Sequence, residues 1–174
     1  MTVFSMKRTA TALALGTALI ALPAAAFAAT ATLKDTDGKE VGTVEFTQTP
    51  DGVLLKGNLT GIAAGERAFH IHETGKCEPP FKSAGGHFNP DDDSHGYMTE
   101  DGPHAGDMPN LFVPDSGALT FQVYNDNVSL KDGEDGYLFD DDGSALIIHA
   151  GADDYKSQPS GDAGDRIACG VIEK

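Results

Sequence analysis

The chain has 174 residues, with 12 basic and 27 acidic side chains, two cysteines and a formal net charge of −15. The length fits a single domain with room for a real hydrophobic core. The acidic balance disfavours nucleic-acid binding, because phosphate contacts need a basic surface.

The first 28 residues have the pattern of a secretory leader. Lys7 and Arg8 give a positive start, residues 9–22 are apolar, and Ala26-Phe27-Ala28 is a small-x-small cleavage site. We expect cleavage to leave one domain, 29–174, with a net charge of −17 and a location in the periplasm. A membrane anchor is the weaker alternative, because a spanning helix needs about 20 apolar residues.

The rest of the chain predicts β-structure with loops. Short runs of apolar and β-branched residues predict seven strands, at 31–35, 41–47, 53–59, 68–72, 118–124, 145–149 and 167–172. Asp37-Gly38 and Asp51-Gly52 are turn dipeptides that would join the first three strands as hairpins. An eighth strand is expected between 127 and 138, where two glycines obscure the pattern.

Two long stretches carry no strand pattern, residues 73–114 and 151–165. Loops of this length are unusual inside a compact domain and are often functional. The first is rich in Gly, Pro, Asp and His, so a bound metal could supply the order that secondary structure does not.

Candidate metal ligands crowd into and around this first stretch. The six histidines are His70, His72, His87, His95, His104 and His149. Five of them fall within 35 residues, and imidazole is the commonest protein ligand for zinc and copper. Asp107, three residues after His104, adds a carboxylate oxygen that zinc accepts.

The spacing of the ligands predicts two sites. His70 and His72 lie two apart in a predicted strand, so both project from one face while Phe69 and Ile71 face the core. His149 ends another apolar run and can converge from a neighbouring strand. The remaining loop candidates can close a second, tetrahedral site: His95, His104 and Asp107. His87 lies between the groups and can serve either metal, or both through its two ring nitrogens.

The two cysteines are Cys77 and Cys169. Export implies an oxidising compartment, so a disulfide is the default, with free thiols or metal ligation as the alternatives.

These motifs together resemble the copper/zinc superoxide dismutase family over nearly the whole chain after the leader. The matching stretches are Phe69-His70-Ile71-His72, Gly85-Gly86-His87-Phe88-Asn89-Pro90, His104-x-Gly106-Asp107, His149 followed by Asp153-Asp154, and Gly164-x-Arg166-Ile167-Ala168-Cys169-Gly170-Val171-Ile172. The resemblance implies an all-β, eight-stranded Greek-key β-barrel or sandwich with two long functional loops. It also implies a Cys77–Cys169 disulfide that ties the first loop to the last strand.

The resemblance implies one copper and one zinc per chain. The implied copper ligands are His70, His72, His87 and His149. The implied zinc ligands are His87, His95, His104 and Asp107, with His87 as the bridging imidazolate. Asp153 resembles the family's carboxylate that hydrogen-bonds one histidine of each metal, here His70 and His95.

The implied reaction is the dismutation of superoxide to O2 and H2O2, in protection of the cell envelope. Arg166 resembles the arginine that guides the anion to copper, so Arg166 and His87 are the expected catalytic residues. Lys76, Lys82 and Lys156 are further candidates for steering. Superoxide is the only expected partner, with no nucleic acid and no stable membrane anchor, and the choice between monomer and homodimer stays open.

Three other functions fit the residues less well. A zinc hydrolase that uses a His-x-His pair gives no role to Arg166 or Asp153. A blue-copper electron carrier needs a cysteine ligand, but no histidine or methionine follows Cys169. A related domain that only stores or delivers copper is the non-enzyme alternative, and it is disfavoured because every implied position is filled.

Overall fold

The computed structural model of the protein describes Met1 and residues 27–174. Most of the predicted leader therefore lies outside the described residues, and its cleavage stays a prediction. The first strand begins at Ala28, next to the predicted cleavage point. Within the described part of the chain, no helix has the length and apolar character needed to cross a membrane.

Across residues 27–174, the secondary structure consists of nine β-strands and one short 3-10 turn, Lys82–Ala84. The strands are β1 Ala28–Asp35, β2 Glu40–Thr49, β3 Gly52–Leu59, β4 Gly65–Arg67, β5 Phe69–His72, β6 Leu111–Val113, β7 Leu119–Asn125, β8 Ala145–His149 and β9 Arg166–Glu173.

The all-β prediction is confirmed, and all seven firmly predicted strands are present with ends shifted by at most three residues. The eighth strand predicted between 127 and 138 is wrong, because that segment forms only an isolated bridge between Ser129 and Tyr137. The count is nine rather than eight because of β4 and β6, and β6 lies inside the stretch predicted as loop. Each has three residues, which is too short to show a period of two.

The strands form one antiparallel sheet in the order β5-β8-β9-β1-β2-β3-β7, with β4 and β6 as a separate pair. The sheet curls on itself, because Phe69 of one edge strand packs against Phe121 of the other with ring centroids 5.2 Å apart. Gly57 makes room for that contact, since a Cβ there would collide with the Phe121 ring. The connection between β7 and β8 carries the chain from one end of the sheet to the other, as a Greek key requires.

The core follows from the alternation of buried and exposed residues along strands that have one face in water. In β1, residues 29, 31 and 33 are buried and their neighbours are exposed, as expected for a strand with one face in water. In contrast, β5 and β8 are buried throughout. The largest fully buried side chains include Phe46, Phe69 and Leu55. Burying each of these stabilises the fold by about 1.5–3 kcal/mol.

Two loops complete the site region, a first loop of residues 73–110 between β5 and β6 and a second loop of residues 150–165 between β8 and β9. The first loop runs along the outer edge of β5: Ile71 N donates to Gly106 O at 2.9 Å and Phe88 N donates to Ile71 O at 2.9 Å. Gly106 allows this approach, because a Cβ there would collide with the Ile71 carbonyl. Cys77 and Cys169 form the predicted disulfide, with Cα atoms 5.7 Å apart, and tie this loop to β9.

Candidate metal centre

The edge strand β5 and its neighbour β8 aim three histidines at one point. His70 and His72 project from one face of β5, while Phe69 and Ile71 belong to the main core cluster on the other. His149 is the last residue of β8, and its N–H donates to Ala68 O at 2.9 Å. The predicted alternation and the predicted convergence of His149 are both present.

These three rings and a fourth form the first cluster: His70, His72, His87 and His149. All four are buried, and their candidate ligand atoms lie within 4.8 Å of one another. Each ring has one buried nitrogen without a hydrogen-bond partner: Nδ1 of His70 and Nε2 of His72, His87 and His149. A buried polar atom without a partner costs free energy, so four such atoms around one point fit a metal ion.

In each of the three histidines on β5 and β8, the other ring nitrogen is held by a hydrogen bond. His72 Nδ1 lies 3.1 Å from Gly85 O, and His149 Nδ1 lies 3.2 Å from Gly164 O. A carbonyl can only accept, so in these two rings the proton sits on Nδ1 and Nε2 keeps its lone pair for a metal. His70 is reversed, because its Nε2 lies 2.8 Å from Asp153 Oδ2.

The second cluster lies beside the first and contains His87, His95, His104 and Asp107. His87 Nδ1 lies 2.7 Å and His104 Nδ1 3.4 Å from Asp107 Oδ1. His95 Nδ1 lies 3.0 Å from Asp107 Oδ2. Zinc–ligand bonds of 2.0–2.1 Å set tetrahedral ligand–ligand distances of about 3.3 Å, so this set of three nitrogens and one carboxylate fits zinc.

His87 belongs to both clusters. Its Nδ1 faces Asp107 and lies 3.4 Å from His104 Nδ1, while its Nε2 is one of the unpartnered atoms of the first cluster. A single ring therefore presents one nitrogen to each cluster, which is the arrangement that a bridging imidazolate would need.

Asp153, on the second loop, connects the two clusters through hydrogen bonds to one histidine of each. Its Oδ2 lies 2.8 Å from His70 Nε2 and its Oδ1 3.0 Å from His95 Nε2. Asn110 holds its backbone at both ends: Asp153 N donates to Asn110 Oδ1 and Asn110 Nδ2 donates to Asp153 O, each at 2.9 Å. The carboxylate is therefore fixed before any metal arrives, which orients one ring of each cluster.

Burial lowers the pKa of three rings of the first cluster, His72, His87 and His149, and so favours their neutral form. Desolvation lowers the pKa of His87 to about 4, although the hydrogen bond that His87 donates to Asp107 acts in the opposite direction, and it lowers the pKa of His149 to about 3. The pKa of His72 is lowered well below its usual value, first by burial and then by His87. Neutral imidazole is the form that binds metal, so these rings are ready as ligands near pH 7.

The carboxylates stay charged despite burial. Desolvation would raise the pKa of Asp107, but hydrogen bonds from His104, His87 and His95 hold it well below its usual range. His95 behaves differently: burial would lower its pKa, yet hydrogen bonds to Asp107 and Asp153 raise it to about 9. Two buried anions on one ring explain this direction.

Arg166 stands at the mouth of the first cluster. Its Nη1 donates to Phe81 O at 2.7 Å and its Nη2 donates to Gly85 O at 2.6 Å. Together with His87 and His149 it lines an open cavity of about 470 Å³. Burial lowers the pKa of Arg166, and nearby Glu73 opposes that shift. The guanidinium is therefore held at the cavity that His87 and His149 also line, and Arg166 belongs to neither cluster of candidate ligands.

The three lysines named from the sequence are less well placed. Lys76 pairs with Glu78 at 3.1 Å on the surface. Lys82 lines a neighbouring cleft with Arg166, and Lys156 is exposed. None of them lines the 470 Å³ cavity.

Several residues that orient the site were missed by sequence reasoning. Asn110 and Gln158 each hold the backbone of a site residue through a side-chain amide, and the Tyr155 hydroxyl accepts a hydrogen bond from Asn110 N at 2.8 Å. Single amides in irregular loops have no periodicity or spacing, so no pattern in one sequence points to them.

The family model described as copper/zinc superoxide dismutase matches residues 40–172. The chain belongs to the copper/zinc superoxide dismutase family. It is 54% identical to a copper–zinc superoxide dismutase of Aquifex aeolicus over 144 residues, covering 82% of this chain and 84% of that protein. It is 48% identical to the copper–zinc superoxide dismutase of Caulobacter vibrioides over 148 residues, covering 83% and 85%.

Two solved structures support the same family. A crystal structure of a superoxide dismutase-like protein from Bacillus subtilis has a TM-score of 0.79 and 40% identity, covering 82% of this chain and 96% of that one. The Cu/Zn superoxide dismutase from Brucella abortus has a TM-score of 0.67 and 31% identity, covering 84% and 99%.

Proposed function

We propose that this protein is a copper/zinc superoxide dismutase, which converts two superoxide anions and two protons into O2 and H2O2. The observation that carries the proposal is the set of four inward, unpartnered imidazole nitrogens beside a second cluster that shares His87.

In this proposal each cluster takes one metal. Copper would be held by His70, His72, His87 and His149, through the buried nitrogens that have no hydrogen-bond partner. Zinc would be held by His87, His95, His104 and Asp107. Copper, when bound, supplies the one-electron redox chemistry that neither the side chains nor a d¹⁰ zinc ion can supply. Asp153 keeps His70 and His95 in the required orientation.

The chain's own groups handle the anion and the proton. Arg166 attracts superoxide and can donate hydrogen bonds to it, since both of its carbonyl contacts use only part of its five N–H groups. His87 Nε2 can take up a proton and return it, while Nδ1 stays held on the Asp107 side. All four rings of the first cluster are buried, and the open cavity that Arg166 lines with His87 and His149 gives the anion access to them.

A protein of net charge −15 must still draw in an anion. Two divalent cations outweigh the imidazolate of His87 and the carboxylate of Asp107, and Arg166 adds a further positive charge. At physiological salt, exposed charges are screened over about 8 Å. The local positive charge therefore governs the last approach, and bound ions are the largest charges in such a site.

The non-enzyme alternative is a related domain that only stores or delivers copper. The family includes a superoxide dismutase-like protein of Bacillus subtilis, 42% identical over 143 residues, so family membership alone does not decide the activity. Here both donor sets are filled and Arg166 is poised at the cavity. Those features favour turnover over copper storage.

The location and assembly belong to the same proposal. The Cys77–Cys169 disulfide supports an oxidising compartment, and together with the predicted leader it supports export to the periplasm. There the enzyme would protect the cell envelope, as a monomer or a homodimer that sedimentation of the purified protein distinguishes.

Reconstitution with copper and zinc tests the function. The purified domain should bind one of each per chain by elemental analysis, and the loaded protein should dismutate superoxide generated by pulse radiolysis. A total of one metal per chain contradicts the two-site assignment. Full metal content without dismutation supports the copper-storage alternative.

A further inference from the structure

The backbone of His95 is held by a side chain from the other loop. His95 N donates to Gln158 Oε1 at 2.9 Å, and Gln158 Nε2 donates to His95 O at 2.9 Å. The amide of Gln158 therefore pairs with both polar backbone groups of one residue, much as a neighbouring strand would. His95 is fully buried, and Gln158 is the partner of its N–H.

His95 needs such a support because it lies in the irregular part of the first loop. Its ring is held by Asp153 Oδ1 at 3.0 Å from Nε2, while Nδ1 has no hydrogen-bond partner and lies 3.0 Å from Asp107 Oδ2 in the second cluster. Ring contacts alone do not fix the Cα position. The backbone contact with Gln158 removes that remaining freedom, so the ring and the main chain of His95 are fixed independently.

Both contacts come from the same short segment of the second loop. Asp153 holds the ring and Gln158, five residues later, holds the backbone. Asp154 sets the turn between them, since its carboxylate accepts the N–H of Lys156 at 3.0 Å and of Ser157 at 2.8 Å. The segment is thus a preformed two-point clamp on His95.

Two glycines let the loops approach closely enough for the clamp to work. Gly96 has φ +98°, and a Cβ there would collide with the Tyr155 carbonyl. Gly161 has φ +66°, and a Cβ there would collide with the Asp153 carboxylate and lie 2.8 Å from His95 Nε2. Both positions combine a left-handed backbone with no space for a side chain, which only glycine tolerates.

We propose that Gln158 is a positioning residue for zinc, which keeps His95 Nδ1 aimed into the second cluster by fixing the His95 backbone. The inference rests on the zinc assignment of the proposed function. Because Gln158 lies at the surface, replacing it leaves the core intact.

Gln158→Met tests this, since it keeps the length of the side chain and removes both hydrogen bonds. We expect zinc affinity, measured by chelator competition, to fall about tenfold, as is typical when a group that orients a metal ligand is lost. Copper affinity should change much less, because Gln158 touches no ligand of the first cluster. Gln158→Asn, which is one methylene too short to reach both partners, should weaken zinc in the same direction.

Gln48 provides a matched control. Its amide also bridges backbone groups, accepting from Leu130 N at 2.6 Å and donating to Gly52 O at 3.1 Å, but these partners belong to neither cluster. Gln48→Met should leave zinc affinity within about twofold of wild type, given the usual independence of distant sites. An equal loss of zinc in the Gln48 and Gln158 variants would mean general loosening and would overturn the proposal.

Two spectroscopic readouts are independent of turnover. Co²⁺ in the zinc site reports its geometry, and its absorption bands should shift in Gln158→Met but not in Gln48→Met. Hydrogen exchange of the His95 amide should accelerate only in the Gln158 variants. Unchanged zinc affinity and an unchanged cobalt spectrum in Gln158→Met contradict the clamp, whereas a wild-type protein that binds both metals without dismutating superoxide contradicts only the proposed function.

Discussion

At the scale of single residues, His87 differs from the other five histidines because it alone belongs to both clusters. His72 and His149 each give Nδ1 to a carbonyl and keep one lone pair. His87 has Asp107 and His104 near Nδ1, and its Nε2 has no hydrogen-bond partner. Losing this ring therefore removes a ligand from both clusters at once.

His87→Ala is expected to weaken copper and zinc together, each by at least about 100-fold, which exceeds the effect of losing a group that only orients a ligand. His104→Ala should weaken zinc by a similar factor and leave copper close to wild type, because His104 belongs to the second cluster alone. Competition titrations of both variants provide the comparison. Unchanged zinc affinity in His87→Ala would refute the bridge.

Arg166 is expected to act on the substrate anion through its charge, without being a metal ligand. Arg166→Glu reverses its charge, and two unit changes at about 4 Å in water amount to about 2 kcal/mol, or about 30-fold in kcat/KM for superoxide. Arg166→Lys keeps the charge and loses only the planar fork, so it should fall less. Both variants should retain copper, because Arg166 lies outside both ligand sets.

The salt dependence of kcat/KM in these variants distinguishes long-range attraction of superoxide by Arg166 from direct contact between the two. Rising ionic strength should lower kcat/KM of the wild type, because screening weakens the attraction between Arg166 and superoxide. It should lower kcat/KM of Arg166→Glu less, because screening also weakens the repulsion between the glutamate and superoxide. A glutamate variant as fast as wild type at low salt would assign guidance elsewhere, with Lys82 next to be neutralised.

At the scale of elements, the disulfide and the first loop act together. Cys169 lies on β9 three residues after Arg166, and Cys77 lies on the loop whose Phe81 and Gly85 carbonyls receive the guanidinium. The bond therefore holds both the arginine and its acceptors. It also spans 92 residues of sequence, so it restricts the unfolded chain strongly.

Replacing Cys77 and Cys169 together by serine is expected to lower the free energy of unfolding by about 2–5 kcal/mol. Denaturant titration of the metal-free variant and wild type measures this. The same variant should have a lower kcat/KM at full copper content, because the carbonyl contacts of Arg166 lose their tether. Equal stability of the oxidised wild type and the serine variant would contradict the structural role of the bond.

Elements with enough length were predictable from the sequence. β2 and β8 have clear apolar patterns, and Phe69-His70-Ile71-His72 fixed which face would carry the ligands. β4 and β6 were missed because three residues carry no period. The hydrogen bonds between Gln158 and His95 join two loops whose residues are 63 positions apart in the sequence. Such long-range contacts produce no pattern in the local sequence.

At the scale of the whole molecule, the buried histidines make stability depend on pH. The pKa of His87 is lowered to about 4 and that of His149 to about 3 by burial, whereas histidine in an unfolded chain titrates near 6.5. Below pH 6.5 the unfolded chain therefore binds protons that the folded protein excludes. The stability linked to these groups is complete above pH 6.5 and is lost as the pH falls toward 4 and 3.

We expect the metal-free protein to lose unfolding free energy steadily between pH 6.5 and 4, as measured by urea titration at successive pH values. The raised pKa of His95, about 9, acts in the opposite sense: its contribution is complete below pH 6.5 and is lost as the pH rises through 9. His149→Gln should reduce the acid slope by removing one of the groups. A flat profile from pH 6.5 to 4 would contradict the buried, neutral state of these rings.

The first loop has one more effect, on solubility. β5 is the end strand of the seven-stranded sheet, and its outer N–H and C=O groups are occupied by residues 86–88 and 105–107, which flank or supply ligands of both clusters. An uncovered strand edge is a template for pairing with another chain. The segments whose side chains are the candidate ligands cover this edge with their backbone, so a loop ordered by metal also protects the sheet from pairing with another chain.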